Sequence, residues 1–357
     1  MFVGGEFYYD HCWIADKPTL LTEKMHFLNG GRACLAIIGD YLLDHGIDKI
    51  LLPSYLCPSI VTPLERAGLK CDYYQINEDL SIDLDDLAQK VVGYKAVYFI
   101  NYFGFLHPPE VRDYLKTLKK NGMIVVEDNA QAGFTDHPTG DFLLNSLRKL
   151  APYDGGYLIT DHDIAPYLSK YHGLPNRRLP VIREYRQRLH DYLFNGVGNY
   201  KKLVNLYALA DQYYATDIVV EGDPDERQQI ERLDWEGIRK VRRDNYQYML
   251  GLIAPIPEIT PLFPALQEDN MPLGLPVYLN GVSRDEVYEY LGENGIGLFI
   301  HWEELRNDPR VNGNQLAVSM ADRMLTLATD QRISREQMDY LATHLVKGIA
   351  RAKRKPH

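Results

Sequence analysis

Residues 123–131, MIVVEDNAQ, decide the reading of the fold. Four apolar residues stop abruptly at Glu127-Asp128-Asn129. A short apolar run closed by polar residues predicts a strand buried on both faces, with its polar end at a mouth of the molecule. The pattern repeats outward on both sides. KAVYFI (95–100) ends at Asn101, Lys49 to Leu52 ends at Pro53, and Lys70 to Ile76 and Tyr157 to Thr160 are further runs. Stretches of helical length lie between them, near 32–45, 58–67, 83–91 and 109–120. Strands alternating with helices predict an α/β fold with a mostly parallel central sheet covered on both faces.

Beyond residue 160 the pattern changes. Residues 172–180 (HGLPNRRLP) read as a loop, and 183–250 read as helical, interrupted at Gly222-Asp223-Pro224. Prolines return between Pro255 and Pro264, followed by a strand-like Leu275 to Leu279 and a helix near 283–294. A last helix starts near 335, where Ser334 and Gln337 fit a capping box. The expected organisation is a large domain, 1–230, and a smaller C-terminal α/β domain, 231–357.

The 357 residues are 45% hydrophobic and 25% charged, the balance of an ordinary globular protein rather than a disordered or disulfide-scaffold chain. A net charge of −10 argues against general nucleic-acid binding, and the basic tail Arg351 to Lys355 reads as a solvated end. No apolar stretch approaches the ~18 residues of a membrane helix. Met1 to Glu6 carries no basic segment followed by an apolar one, so no secretory signal is read there. Cys12, Cys34, Cys57 and Cys71 include no C-x-x-C pair, and reduced thiols in the cytoplasm are the expectation. Asp161-His162-Asp163 alternates faces if extended, so no metal site is expected.

In open α/β sheets, ligands bind beyond the carboxyl ends of the strands. Those ends carry Pro53-Ser54-Tyr55, Asn101 to Gly104 and Glu127 to Gln131. Asp128 would need a cation or hydrogen bonds to stay ionised there, and a turn cap is the other reading of the same residue. Downstream, Ser146-Leu147-Arg148-Lys149 precedes Asp154-Gly155-Gly156. A solvated Arg-Lys pair is one reading. A Ser-x-x-Lys acyl-enzyme is a second, but the Lys-Thr-Gly element of such enzymes is missing. The third joins Lys149 to Asp128. A lysine amine forms a Schiff base with pyridoxal 5'-phosphate (PLP), whose pyridinium nitrogen takes an acidic partner. The phosphate site this demands fits Asn29-Gly30-Gly31-Arg32-Ala33, glycines opening a helix whose first N–H groups are free.

Taken in order, Asn29-Gly-Gly-Arg-Ala-Cys-Leu35, Leu52-Pro-Ser-Tyr55, Glu127-Asp-Asn-Ala-Gln131, Ser146-Leu-Arg-Lys149 and Asp154-Gly-Gly156 resemble the DegT-type sugar aminotransferases. These are PLP enzymes of the aspartate-aminotransferase fold, fold type I. Arg323 to Leu327 with Asp330-Gln331 resembles the family's closing region, with Ala328 where proline is usual. The resemblance implies PLP as cofactor and Lys149 as the Schiff-base lysine. It implies Asp128 facing the pyridine nitrogen and Gln131 near the phenolic oxygen. Gly31, Arg32, Ala33 and Ser146 would hold the phosphate. Cys57 stands where the family often stacks an aromatic, and Tyr55 or Tyr102 is the expected substitute. Asn199-Tyr200-Lys201 is the candidate for the segment through which a partner subunit reaches the phosphate.

The activity implied is ping-pong transamination from an amino acid, glutamate by family habit, to a keto sugar or similar small carbonyl compound. A nucleotide-linked acceptor would want a basic or aromatic patch near the cofactor, for which Arg177, Arg178, Lys201 and Lys202 are available. The implied assembly is a homodimer with no nucleic-acid or membrane partner. Two alternatives stand beside it. One is a sugar-dehydratase-like PLP enzyme, a relative that carries histidine in place of the lysine. The other is a non-catalytic binding or regulatory protein that keeps the fold.

Overall fold

The computed structural model describes residues 1–10, 12–19, 25–217, 219–309 and 314–354. After a short β1 (Val3–Gly4), seven strands form the central sheet. They are β2 (Met25–Leu28), β3 (Lys49–Pro53), β4 (Lys70–Tyr74), β5 (Ala96–Ile100), β6 (Ile124–Asp128), β7 (Phe142–Leu144) and β8 (Gly156–Thr160). Their order across the sheet is β2-β8-β7-β6-β5-β3-β4. The strands from β4 through β7 pair in parallel, and β8 is antiparallel to both its neighbours. Every residue of β5 is buried, which is why it reads as an unbroken apolar run. The short β7 and β2 escape the sequence pattern, β7 because three residues are too few to show a period.

Helices α1 (Gly31–Asp44), α2 (Pro58–Ala67), α3 (Leu84–Lys90), α4 (Pro109–Lys120) and α5 (Ala165–Ser169) accompany the strands. The expected long helical region resolves into four helices: α6 (Arg178–Phe194), α7 (Tyr200–Thr216), α8 (Pro224–Glu231) and α9 (Trp235–Ile253). α6 begins inside the stretch read as a loop, because Pro180 falls in the first turn, where its missing N–H costs no helical bond. The break at residues 195–199 was not foreseen; Gly196 and Gly198 take positive φ there. α6 and α7 enclose a small apolar cluster of their own, including Leu179, Ile182, Leu189, Leu203 and Ala210.

The C-terminal part holds β9 (Ile259–Pro261), β10 (Leu275–Leu279), α10 (Arg284–Glu293), β11 (Ile296–Gly297), α11 (Gln315–Arg323), β12 (Met324–Leu327) and α12 (Arg335–Ala352). β12-β10-β9 is an antiparallel sheet. The Ser334–Gln337 capping box opens α12 as its sequence requires. β1 pairs with β11, so the first residues of the chain lie with the last third of it. Lys355, at the end of the basic tail, lies outside the described residues. No described helix is long and apolar enough to cross a membrane.

Parallel pairing sets Asp128 opposite Ile100 on one side and Leu144 on the other, all at the carboxyl edge. One glycine permits the close approach behind it. A Cβ on Gly156 would lie 2.2 Å from the Asn145 carbonyl oxygen and 3.2 Å from Gly30 Cα. Gly156→Ala should therefore destabilise the protein by about 1–3 kcal/mol, the usual cost of overpacking, measured as a lower urea midpoint at unchanged slope.

Candidate active site

Glu127 and Asp128 point to opposite faces of β6, as successive strand residues must. Glu127 is spent on structure. Its carboxylate accepts from the N–H groups of Thr139 (2.7 Å) and Gly140 (3.0 Å) and from Asn101 Nδ2 (3.0 Å), folding the following loop back. Asp128 looks into a cleft. Tyr98, buried in β5, donates its hydroxyl to Oδ2, and the Ala130 N–H donates to Oδ1 at 2.7 Å. Burial pushes the Asp128 carboxyl above the ordinary range, while Lys149 and these two donors pull it back down.

After β7 the chain makes one 3-10 turn, Leu147–Lys149. Leu147 is buried and its N–H donates to the Gly155 carbonyl at 2.9 Å, which pins the turn. Arg148 and Lys149 then face the cleft. Lys149 and Asp128 line it together without forming an ion pair. Burial lowers the Lys149 amine and the Asp128 charge raises it, with a net downward shift.

The helix α1 starts beside them. Gly30, at φ +116°, caps it without any side-chain hydrogen bond, and no acid stands in the first turn. A Cβ on Gly30 would come 3.5 Å from Ser146 Oγ, and one on Gly31 would come 3.7 Å from Ser146 Cβ. The helix start and the serine thus face each other across a gap that glycine keeps open. Arg32 and Arg148 add positive charge and stack on the Tyr214 ring at 3.9 and 4.6 Å. Neither guanidinium forms an ion pair among the described residues, and the Nε of each is buried without a partner. Gln131 completes this wall. Its Oε1 accepts from the Phe103 N–H at 2.7 Å, leaving a buried Nε2 with no partner.

Of the residues expected at a cofactor, Gly31, Arg32, Asp128, Gln131, Ser146 and Lys149 line this one cleft, and Ala33 sits in the first turn of α1 beside it. Tyr55 does not line it. The place expected for it is not the one the fold gives: Tyr55 is fully buried, and its hydroxyl donates to the His301 carbonyl. Tyr102 in turn donates to the Tyr55 carbonyl. A buried phenol must find an acceptor, and these two find backbone away from the cleft. The aromatic residues that do line it are Trp302 and Tyr214, beside Cys57.

Asn199 caps α7 and Tyr200 is 66% exposed; neither lines the cleft. The basic patch is likewise dispersed. Arg177 pairs with Asp217, Arg178 is buried on Asp154, and Lys201 and Lys202 are exposed.

The cleft, about 40 Å³, shares Cys57, Ser59, Arg148, Lys149 and Trp302 with a larger cavity of about 310 Å³. His301 lines that cavity, with Nδ1 2.9 Å from Thr326 Oγ1. Burial and the Lys149 charge hold its pKa down to about 3, so the ring is neutral at pH 7. In the sequence His301-Trp302 is only a polar residue following an apolar run, a pattern that fits core packing or a place at a substrate mouth. Tyr214 carried no local signal. Among the described residues no cluster of side chains could hold a metal ion.

The raised Asp128 has a pH consequence. A carboxyl whose folded pKa lies above its unfolded value, ~3.9, stabilises the fold least once pH has risen through the folded pKa. Asp128→Asn should remove that cost. The protein without added ligand should be at least as stable to urea at pH 7, and its stability should fall less over that pH window, the buried Glu127 and Glu226 keeping a share of the fall. Turnover in the reaction proposed below should drop by about 10²-fold or more.

No protein-family profile and no curated protein sequence matches the chain. Solved structures do. Spr1654 from Streptococcus pneumoniae, in its PMP form, superposes with a TM-score of 0.67 at 17% identity, covering 96% of this chain and 94% of that one. PseC from Helicobacter pylori, an aminotransferase in pseudoaminic acid biosynthesis, gives 0.67 at 13% identity over 92% and 87%. The sugar aminotransferase CalS13 from Micromonospora echinospora gives 0.62 at 16% over 91% and 87%. The long parallel run of strands with β8 antiparallel beside it, together with these superpositions, gives the chain the α/β fold that these aminotransferases share.

Proposed function

We propose that the protein is a PLP-dependent aminotransferase. It moves an amino group from an amino-acid donor, glutamate, to a keto sugar or a similar small carbonyl compound. The observation that carries this reading is the shared cleft. A buried carboxylate and an amine with a lowered pKa face it without pairing, next to a helix start and a buried amide donor that lack partners.

The residues fit the cofactor group by group. The unpaired N–H groups of Gly31, Arg32 and Ala33 and the Ser146 hydroxyl suit a phosphate. The orphaned Gln131 Nε2 suits the phenolic oxygen, and Asp128 suits a protonated ring nitrogen. When bound, PLP supplies an electron-withdrawing ring that makes the donor's α-hydrogen removable.

The chain's own groups do the rest. Asp128 holds the proton on the ring nitrogen, and Tyr98 and the Ala130 N–H hold Asp128 in place. Lys149 is the amine that would hold the cofactor through its aldehyde carbon and would be freed when an amino donor takes its place. The freed amine then moves a proton at the donor's α-carbon. It works as a base only when neutral, and burial favours that form. Neutral His301 adds no second positive charge beside it. Trp302 shields the cleft on the side of the larger cavity, where the acceptor would enter.

The reading includes a homodimer in the cytoplasm. The exposed apolar side chains of Phe194, Val197, Tyr200 and Val204 on the α6–α7 hairpin suit a face covered by a second copy.

The test is covalent. After incubation with PLP and borohydride reduction, peptide mass mapping should find the cofactor's mass on Lys149. Lys149→Ala should lose the label, and glutamate-dependent amination should fall by ~10³-fold or more. Wild-type protein that takes up no PLP on Lys149 would sink the reading.

A further inference from the structure

We propose that Tyr214, at the C-terminal end of α7, joins Arg32 and Arg148 in a receptor for the cofactor's phosphate monoester, supplied in cis by the chain that carries Lys149. The proposal rests on the reading of the cleft as a PLP site and assigns a role to side chains outside the helix start and the serine.

Three guanidiniums converge on one phenol ring: Arg32 at 3.9 Å, Arg148 at 4.6 Å and Arg178 at 5.0 Å from its centroid. Arg178 has an anionic partner in Asp154. Arg32 and Arg148 form no ion pair among the described residues and each leaves a buried Nε unsatisfied, although Asp154 and Glu6 favour the Arg148 charge, and Asp211 the Arg32 charge, without forming an ion pair. A buried donor without a partner is costly, and a buried charge without one more so. The electron-rich face of Tyr214 offsets part of that cost. The cleft gathers these two guanidiniums and the Lys149 amine against the single carboxylate of Asp128. A phosphate monoester, carrying about −1.5 to −2 charges near pH 7, supplies what is missing.

Placement supports the same ligand. Arg32 belongs to the first turn of α1, whose free N–H groups face Ser146, so the phosphate and the phenol meet at one residue. Arg32 also donates to the Tyr214 carbonyl, and Arg66 reaches the Ala215 carbonyl at 3.5 Å, so both hold the end of α7 against the cleft. The α6–α7 hairpin has its own small core. A ligand bridging Arg32, Arg148 and Tyr214 would fasten that hairpin to the sheet.

The phenol's titration gives an independent signal. Burial raises its pKa, but Arg148, Arg32 and Arg178 more than offset this, and the net shift is downward. Lys149 faces it across the cleft, and Asp211, one turn earlier in α7, acts on Arg32. A phosphate placed between the arginines would bring negative charge to the phenol and move its ionisation back up.

The experiment compares PLP with pyridoxal, which lacks the phosphate, as quenchers of tryptophan fluorescence. It uses wild type, Tyr214→Phe and Tyr214→Leu. The preference for PLP over pyridoxal should fall about tenfold or more in Tyr214→Phe, the size expected for one hydrogen bond to a charged group, and further in Tyr214→Leu. Separately, phenolate absorbance in wild type minus Tyr214→Phe should appear at higher pH once inorganic phosphate is added. If Tyr214→Phe keeps the full preference while PLP still labels Lys149, the receptor falls and the aminotransferase reading stands. If PLP does not label Lys149 but inorganic phosphate still moves the phenolate transition, the receptor stands and the aminotransferase reading falls. If phosphate moves nothing, the receptor falls.

Discussion

Asp128 is a carboxylate held out of water, and much of the surrounding chain is arranged to tolerate it. Burial alone would protonate it or expel it. Tyr98 reaches it from β5 because parallel pairing sets the two strands side by side. Ala130 reaches it because the chain turns at once after β6. Neither donor removes the need for a positive charge, and Lys149 provides it at a distance. The two groups keep apart because the turn that carries Lys149 is tied to Gly155 rather than left free to collapse onto the acid.

That turn is held by segments that follow it far along the chain. The Leu150 carbonyl, next to Lys149, accepts from Gln331 Nε2 at 2.7 Å and from Arg242 at 3.3 Å. Arg242 is fully buried and also donates to the carbonyls of Pro272 and Leu273 and to Gln331. A few residues on, Asp154 takes Arg178 and Arg186 from α6, and its N–H donates to Glu226 at 2.6 Å. Such buried ion networks are weak arguments for net stability but strong constraints on geometry. Here they fix the backbone on either side of the reactive amine. The Tyr55 hydroxyl on the His301 carbonyl is a third tie between the sheet and the C-terminal part.

The chain's alternation of strands and helices could be read directly, since a strand covered on both faces must be apolar throughout and must end where it meets solvent or ligand. Asp128 and Lys149 stand out as candidates for the same reason, each close to a strand end or a tight turn, whereas only the family resemblance points to Gln131 and Ser146. Gly30 and Gly31 belong to a helix start. Tyr55 also follows a strand, yet it does not line the cleft. In an irregular segment no period fixes which way a side chain points, and its hydroxyl found a carbonyl nearly 250 positions away. Trp302 and Tyr214 went unplaced because nothing beside them in the chain distinguishes them from core aromatics.

Local chemistry in the sequence thus determined the type of fold and the candidate acid, amine and glycines, because period, chain breaks and capping act over a handful of residues. The tertiary structure alone decided that Trp302 and Tyr214 line the cleft, that Arg32 and Arg148 form no ion pair among the described residues, and that Leu150 is held by Gln331. Those facts depend on which distant segments come into contact, and contact across a hundred residues or more is set by the packing of whole elements.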